Sequence, residues 1–408
     1  MFDFNTLANR SNIGNLKYSL LPESLRTRGL IGFAGAEMDF QTAPVIVQAL
    51  TRFARRGLFG YTLPDEPYLQ AIVWWMNHAR NLKITPDEIV PTLGTMFSLG
   101  TAVRAFTEPG DGVIIQHPGY YRYEARLQSN GRRVISAPLI ETNGVYSIDF
   151  SQLEQLAAKP ENRMFVLCNP HNPTGKVFNP GELEELSRLA RQHDLTVFSD
   201  EIFGEITYAH HTAVPFVDIC PEKTVLCTSL GKVFNLTGVN HANVIIRDRQ
   251  MRERFTAQRF ADHFGSIDPF FYTALRAGYS PEGFAWVTEM RDYVWENYRT
   301  VQKFFSERLP TLRVSPLEGS FIIWINMNPL GLTEEELKEF LKKEALLIAD
   351  EGWEYGPGGS GFIRMNIATP RERLSGALDN LEAACRQAGL PSLPGYSLHK
   401  KETAHETD

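Results

Sequence analysis

From PGDG at Pro109–Gly112 onward, short apolar runs rich in β-branched residues alternate with polar stretches of helical pattern, and this alternation most narrows the possible folds. GVIIQHP, RVISAPL, RMFVLCNP, LTVFSDE, TVLCTSL and ANVIIRD have the length and content of strands, with helix-like pieces such as Gly181–Asp194 between them. Successive parallel strands need long crossovers, which a helix fills, so the pattern predicts an α/β domain around a mostly parallel sheet. Just upstream, ITPDEIVPTLGTMFSLGTAVRAF reads as a turn, a short strand, a bend at Gly94 and a helix through Ala105.

At 408 residues the chain exceeds one simple core, and two domains are expected. Residues 1–43 read as an irregular arm that joins part of a small domain. The large domain is expected over 44–281, opening with a helix from Pro44 to Arg56, the Pro-rich loop GYTLPDEP and a helix from Tyr68 to Asn81. A smaller α+β domain is expected over 282–398, with strand candidates FIIWINM and GFIRMNIA and a last helix from Arg371 to Ala388. The polar tail 399–408 is expected to fray.

The 41 Lys and Arg stand against 48 Asp and Glu, for a formal net charge of -7. With no long basic run, the chain lacks the positive footprint that nucleic acid requires. The opening MFDFNTLANRS carries no signal-peptide pattern, and no stretch reaches membrane-spanning length. Cys168, Cys220, Cys227 and Cys385 match no zinc spacing, so no metal is expected and a cytoplasmic location is.

Four segments carry chemistry. SLGKVFNLTG sets Lys232 after an apolar strand and a turn at Gly231. CNPHNPTG makes a rigid loop that offers the Asn172 amide. VFSDEIF ends a strand on Asp200, and GFIRMNIATPR places Arg364 on another. Taken singly, Lys232 reads first as a surface lysine, while Asp200 reads equally as a helix cap and Arg364 as a structural ion-pair partner.

Together, and in this order, the four segments resemble the fold-type I pyridoxal-phosphate enzymes of the aspartate aminotransferase superfamily, from about Gly35 to Ala388. The resemblance implies the transferase fold of that type, with a seven-stranded large-domain sheet, pyridoxal 5'-phosphate as cofactor and an amino acid as substrate. It makes Lys232 the Schiff-base lysine and the base that moves the Cα proton. Asp200 would pair with the pyridine nitrogen, Asn172 would donate to the ring hydroxyl, and Tyr120 would stack on the ring. Arg364 would grip the substrate carboxylate, with the backbone at Ala36 facing it. A phosphate cradle would form from Gly94, the amides of Thr95 and Met96, and the Ser229 hydroxyl. Tyr61 would reach the neighbouring subunit's cofactor, implying a homodimer.

AEMDFQTAP, FGY, PHNPTGKVF and the pair FNLTG with GPGGSGFIRMNIATPR are similar to the cystathionine β-lyase-like C–S lyases within that superfamily. This implies β-elimination from an L-amino acid with sulfur at Cβ, giving a thiol, pyruvate and ammonia. An aminotransferase acting on an aromatic or specialised amino acid is the alternative. Several positions depart from the subgroup's pattern. Asn240 stands where aminotransferases place a phosphate-gripping arginine, and Phe203 stands where the lyases carry histidine. Gly231, Tyr18 and Glu37 replace a serine, a tryptophan and an aspartate. His241, one residue beyond Asn240, is expected to pack in the interior.

Overall fold

The computed structural model describes residues 2–389 apart from 12, 20, 22–23, 25–28 and 209, so the predicted polar tail lies outside the described residues. In chain order the elements that build the site are α1 (Pro44–Arg55), α2 (Glu66–Arg80), β1 (Ile89–Thr92) and α3 (Thr95–Phe106). Then come β2 (Gly112–His117), α4 (Arg122–Ser129), β3 (Arg133–Thr142), β4 (Val145–Ile148), β5 (Asn162–Cys168) and α5 (Pro180–Gln192). β6 (Thr196–Asp200), β7 (Thr224–Thr228), the short α6 (Leu230–Val233) and β8 (Ala242–Ile245) complete the large sheet.

That sheet runs β1–β8–β7–β6–β5–β2–β3–β4. The five strands from β7 to β3 are mutually parallel, while β8 and β4 run against their neighbours. The expected alternation is therefore present, with eight strands where seven were expected. The extra strand, β4, is the return arm of a hairpin in which Thr142 faces Val145 across Asn143 and Gly144. Both loop residues have positive φ, 54° and 85°, the conformation that an Asn-Gly pair supplies in a two-residue turn. β5 and β6 are buried almost throughout, as strands covered on both faces must be.

The second sheet is β9 (Arg313–Val314), β10 (Ile322–Asn326), β11 (Asp350–Glu351) and β12 (Phe362–Asn366), in the order β9–β10–β12–β11, all antiparallel. It packs with the long helix α7 (Pro281–Arg308) and with α8 (Arg371–Gln387). Ile31–Gly32 pairs in parallel with Leu347–Ile348, which ties the chain's first segment to this half. Leu230, Val233 and Phe234, beside Lys232, share one apolar cluster with Ile322, Ile363 and Met365 of the second sheet. Continuous packing thus fixes the two sheets around the lysine. All four cysteines are free and buried. No helix among the described residues is long and apolar enough to cross a membrane.

Candidate active site

In an open parallel sheet, ligands settle beyond the carboxyl ends of the strands. Tyr120 follows β2, Asn172 follows β5, Asp200 ends β6, Ser229 and Lys232 follow β7, and Gly94 follows β1. A cavity of about 740 Å³ opens there, and Lys232, Asp200, Asn172, Tyr120, Ala36 and Arg364 all line it.

Lys232 sits in α6 rather than after a free turn, because the Ser229 hydroxyl caps that helix by accepting from Gly231 N at 3.1 Å. Its Nζ donates to the Ala36 carbonyl at 2.8 Å. Burial, then the nearby Arg364 charge, pushes its pKa down to about 8. The Phe203 ring lies 6.0 Å from the amine.

Asp200 is buried, and desolvation raises its pKa to about 6 against the lowering effect of hydrogen bonds. The strongest of those bonds comes from Tyr123, whose hydroxyl donates to Oδ2 at 2.5 Å. Tyr123 went unnoticed in the sequence. It lies three residues beyond Tyr120, in the first turn of α4, and the two rings meet edge to face with centroids 5.4 Å apart.

Arg364 is held by a second residue that the sequence did not single out. Asp350 faces it across the β11–β12 ladder. Oδ2 of Asp350 accepts from Arg364 Nε at 2.8 Å, from Nη2 at 2.5 Å and from Gly35 N at 2.9 Å. Asp350 thus takes one edge of the guanidinium side-on. Nη1 donates to Asn172 Oδ1 at 2.9 Å, which leaves the Asn172 NH2 group as the donor available to the cavity. Asn366 Nδ2 donates to the carbonyls of Gly35 and Glu37, at 3.1 and 2.7 Å, pinning the loop that carries Ala36.

The residues expected around a phosphate are less tightly gathered. Gly94 has φ 104° and caps α3, so Thr95 and Met96 present their amides in the first turn, where helical amides have no intrahelical acceptor. The Ser229 hydroxyl donates instead to the His241 carbonyl at 2.8 Å. His241 packs as expected: its ring stacks 3.5 Å from that of Phe271, and its Nε2 lies 2.8 Å from the Tyr68 hydroxyl. Burial lowers its pKa to about 3, so it is a neutral interior histidine. Asn240 is exposed. Tyr61 lies away from the cavity and is 99% exposed. The side chain of Tyr18 lies outside the described residues, whereas Glu37 lines the cavity. Among the described residues no cluster of His, Cys, Asp and Glu could hold a metal ion.

Residues 28–381 match the family of class I and II aminotransferases. The chain belongs to this family. Within it, the chain is 35% identical to cystathionine beta-lyase PatB of Bacillus subtilis (strain 168), over 86% of this chain and 91% of that protein. Cystalysin from Treponema denticola, solved with pyridoxal 5'-phosphate, superposes with a TM-score of 0.89 at 32% identity, covering 95% of this chain and all of that one. The pyridoxal-phosphate-bound C–S lyase of Staphylococcus hominis superposes with a TM-score of 0.85 at 25% identity, over 94% of this chain and 98% of the other. The fold is that of the fold-type I enzymes of this family.

The cavity fits the family's cofactor on its own chemistry. It offers a buried amine of lowered pKa, a buried carboxylate for a ring cation and an amide NH2 for a phenolic oxygen, with Tyr120 in the same lining.

Proposed function

We propose that the chain is a pyridoxal-phosphate-dependent carbon–sulfur lyase that eliminates a thiol from the Cβ of an L-amino acid, the remaining enamine taking up water to give pyruvate and ammonia. The observation that carries this reading is the likeness to C–S lyases in sequence and in structure, over 86% of the chain in sequence and 94–95% in structure. When bound, the cofactor supplies an electron sink for the pair released from the Cα–H bond.

The protein's own groups do the rest. Asp200, anionic above about pH 6, would hold the proton on the ring nitrogen. Tyr120 would cover the ring, and Asn172 would donate to its hydroxyl. Arg364, gripped side-on by Asp350, turns its remaining N–H groups toward the substrate carboxylate and fixes the Cα–H bond near Lys232. The Lys232 amine, with a pKa near 8, takes the Cα proton and can pass it to the departing sulfur. The amides of Thr95 and Met96 at the α3 N-terminus receive the phosphate. Ser229 can join them once its hydroxyl turns from the His241 carbonyl.

The working unit is a homodimer in the cytoplasm. Leu58, Phe59, Tyr61 and Leu63 form an exposed apolar loop suited to a partner subunit, with Tyr61 reaching its cofactor.

The test is to incubate cofactor-loaded enzyme with L-cystathionine, without any keto acid, and to follow pyruvate. Sustained release that Lys232→Ala abolishes supports elimination. Absence of pyruvate, with conversion of the cofactor to its amine form by another amino acid, turns the reading to an aminotransferase.

A further inference from the structure

The charges lining the cavity are matched with one exception. Arg364 has Asp350, and Lys17 has Asp39 at 2.8 Å. Glu37 is paired with Arg10. Lys232 and Asp200 are both assigned to the cofactor in the reading above. Arg122 lines the same cavity, at its exposed edge, and has no carboxylate within ion-pair distance among the described residues.

Its geometry leaves it open to a ligand. Nε donates to the Tyr121 hydroxyl at 3.4 Å, and the guanidinium carbon stands 5.7 Å from the Tyr121 ring centroid. The two terminal amino groups have no acceptor among the described residues. Glu124, the acid on the same helix, is engaged by His117 Nε2 at 2.8 Å. Local structure does not call for an arginine here. Arg122 is the first residue of α4, where the helix dipole disfavours a cation, and the Tyr121 side chain gives no cap. A broken local rule at a cavity edge points to a functional cause.

We propose that Arg122 is a specificity-determining residue that binds an anionic group, a carboxylate, on the sulfur-linked half of the substrate. Arg364 lies deep in the cavity and takes the α-carboxylate, so a second, unmatched guanidinium at the rim takes a second carboxylate. A planar fork binds a carboxylate through two parallel hydrogen bonds, which gives direction as well as charge. The substrate class is then a thioether amino acid whose leaving thiol carries a carboxylate. This rests on the lyase reading for the reaction, but not for the binding.

The test compares S-carboxyethyl-L-cysteine with S-carbamoylethyl-L-cysteine, which match in shape and differ in the distal charge. The loaded wild-type enzyme is expected to favour the acid in kcat/KM by about tenfold or more, the scale of a charge-assisted bidentate pair. Added salt should shrink that preference, because the site is at the rim. Arg122→Gln should erase the preference and leave the amide substrate within about twofold of wild type; Arg122→Lys should keep part of it. Equal turnover of both compounds by wild type overturns the proposal. So does an equal loss on both in Arg122→Gln, which would place Arg122 on the shared α-carboxylate or on the cofactor. If neither compound yields pyruvate, the lyase reading fails by itself. The absorbance change of the bound cofactor on titration with each compound then decides the Arg122 preference separately.

Discussion

The Tyr123 hydroxyl donates a 2.5 Å hydrogen bond to Asp200 Oδ2, inside a shell where both groups are buried. Burial pushes Asp200 toward its neutral form, and this bond is the largest influence opposing it. A weaker base at Asp200 leaves the shared proton on the cofactor ring, where it is needed. Tyr123→Phe should raise the Asp200 pKa above its present value of about 6 and draw that proton off the ring. Nitrogen-15 NMR of labelled cofactor in the loaded variant should show a less protonated ring nitrogen, and kcat should fall by about tenfold. An unchanged nitrogen shift would sink the idea.

Lys232 gives a pH signature in cofactor-free protein. Its pKa is lowered from 10.5 to about 8, so an amine-directed reagent should label it with a midpoint near pH 8, well before the surface lysines. The stability effect has the matching sign. Between pH 8 and 10.5 the unfolded chain binds more protons than the folded one, so this residue's contribution to stability rises with pH across that window. Lys232→Met should flatten that rise in a pH series of urea midpoints. A slope that survives the substitution would assign it elsewhere.

Much of the site was legible because three of its four motifs sit where a strand of the large sheet ends. CNPHNPTG, SDE and SLGK follow apolar runs, and the topology of a parallel sheet brings those ends together. The residues that went unread act through long-range or helical geometry. Asp350 lies on a two-residue strand that has no periodicity to detect, and its tie to Arg364 exists only in the antiparallel register. Tyr123 is one of three tyrosines within Tyr120–Tyr123, and only its place inside α4 distinguishes it from Tyr121. The eighth strand did carry a signal, the Asn143–Gly144 turn, but its alternating exposed positions gave no apolar run.

Asp350 both orients Arg364 and opposes the charge it is meant to attract. Its carboxylate holds the guanidinium side-on, yet it repels a substrate carboxylate arriving on the free edge. Asp350→Asn keeps an acceptor oxygen and removes the repulsion, about 1 kcal/mol or more for nearby charges at an effective dielectric of 20. KM for the amino-acid substrate should therefore fall severalfold, while the unliganded protein melts lower for want of a counter-charge on buried Arg364. Asp350→Ala, which also removes the acceptor, should raise KM. If Asp350→Asn keeps the wild-type KM while Asp350→Ala raises it, orientation is all that Asp350 provides.

The residue after Asp200 is anchored by an ion pair that gives position more than stability. Arg80 Nη2 reaches Glu201 Oε2 at 2.5 Å, with side-chain exposures of 1% and 0%. Glu201 Oε1 also accepts from the Ser199 hydroxyl and from Phe216 N, at 2.7 and 2.9 Å. Arg80 Nε and Nη1, by contrast, are buried without an acceptor. A buried pair so incompletely satisfied recovers little of its desolvation cost, whereas breaking it strands a charge. Glu201→Gln should cost about 3–5 kcal/mol in denaturant unfolding. Gly204→Ala should approach that loss, because a Cβ there would lie 1.9 Å from Arg80 Nη1. Replacing both Arg80 and Glu201 by methionine should recover most of the stability while loosening the strand end that carries Asp200. The double variant should then unfold like wild type but release cofactor faster on dialysis. Wild-type cofactor retention in that variant would show that the pair has no part in positioning Asp200.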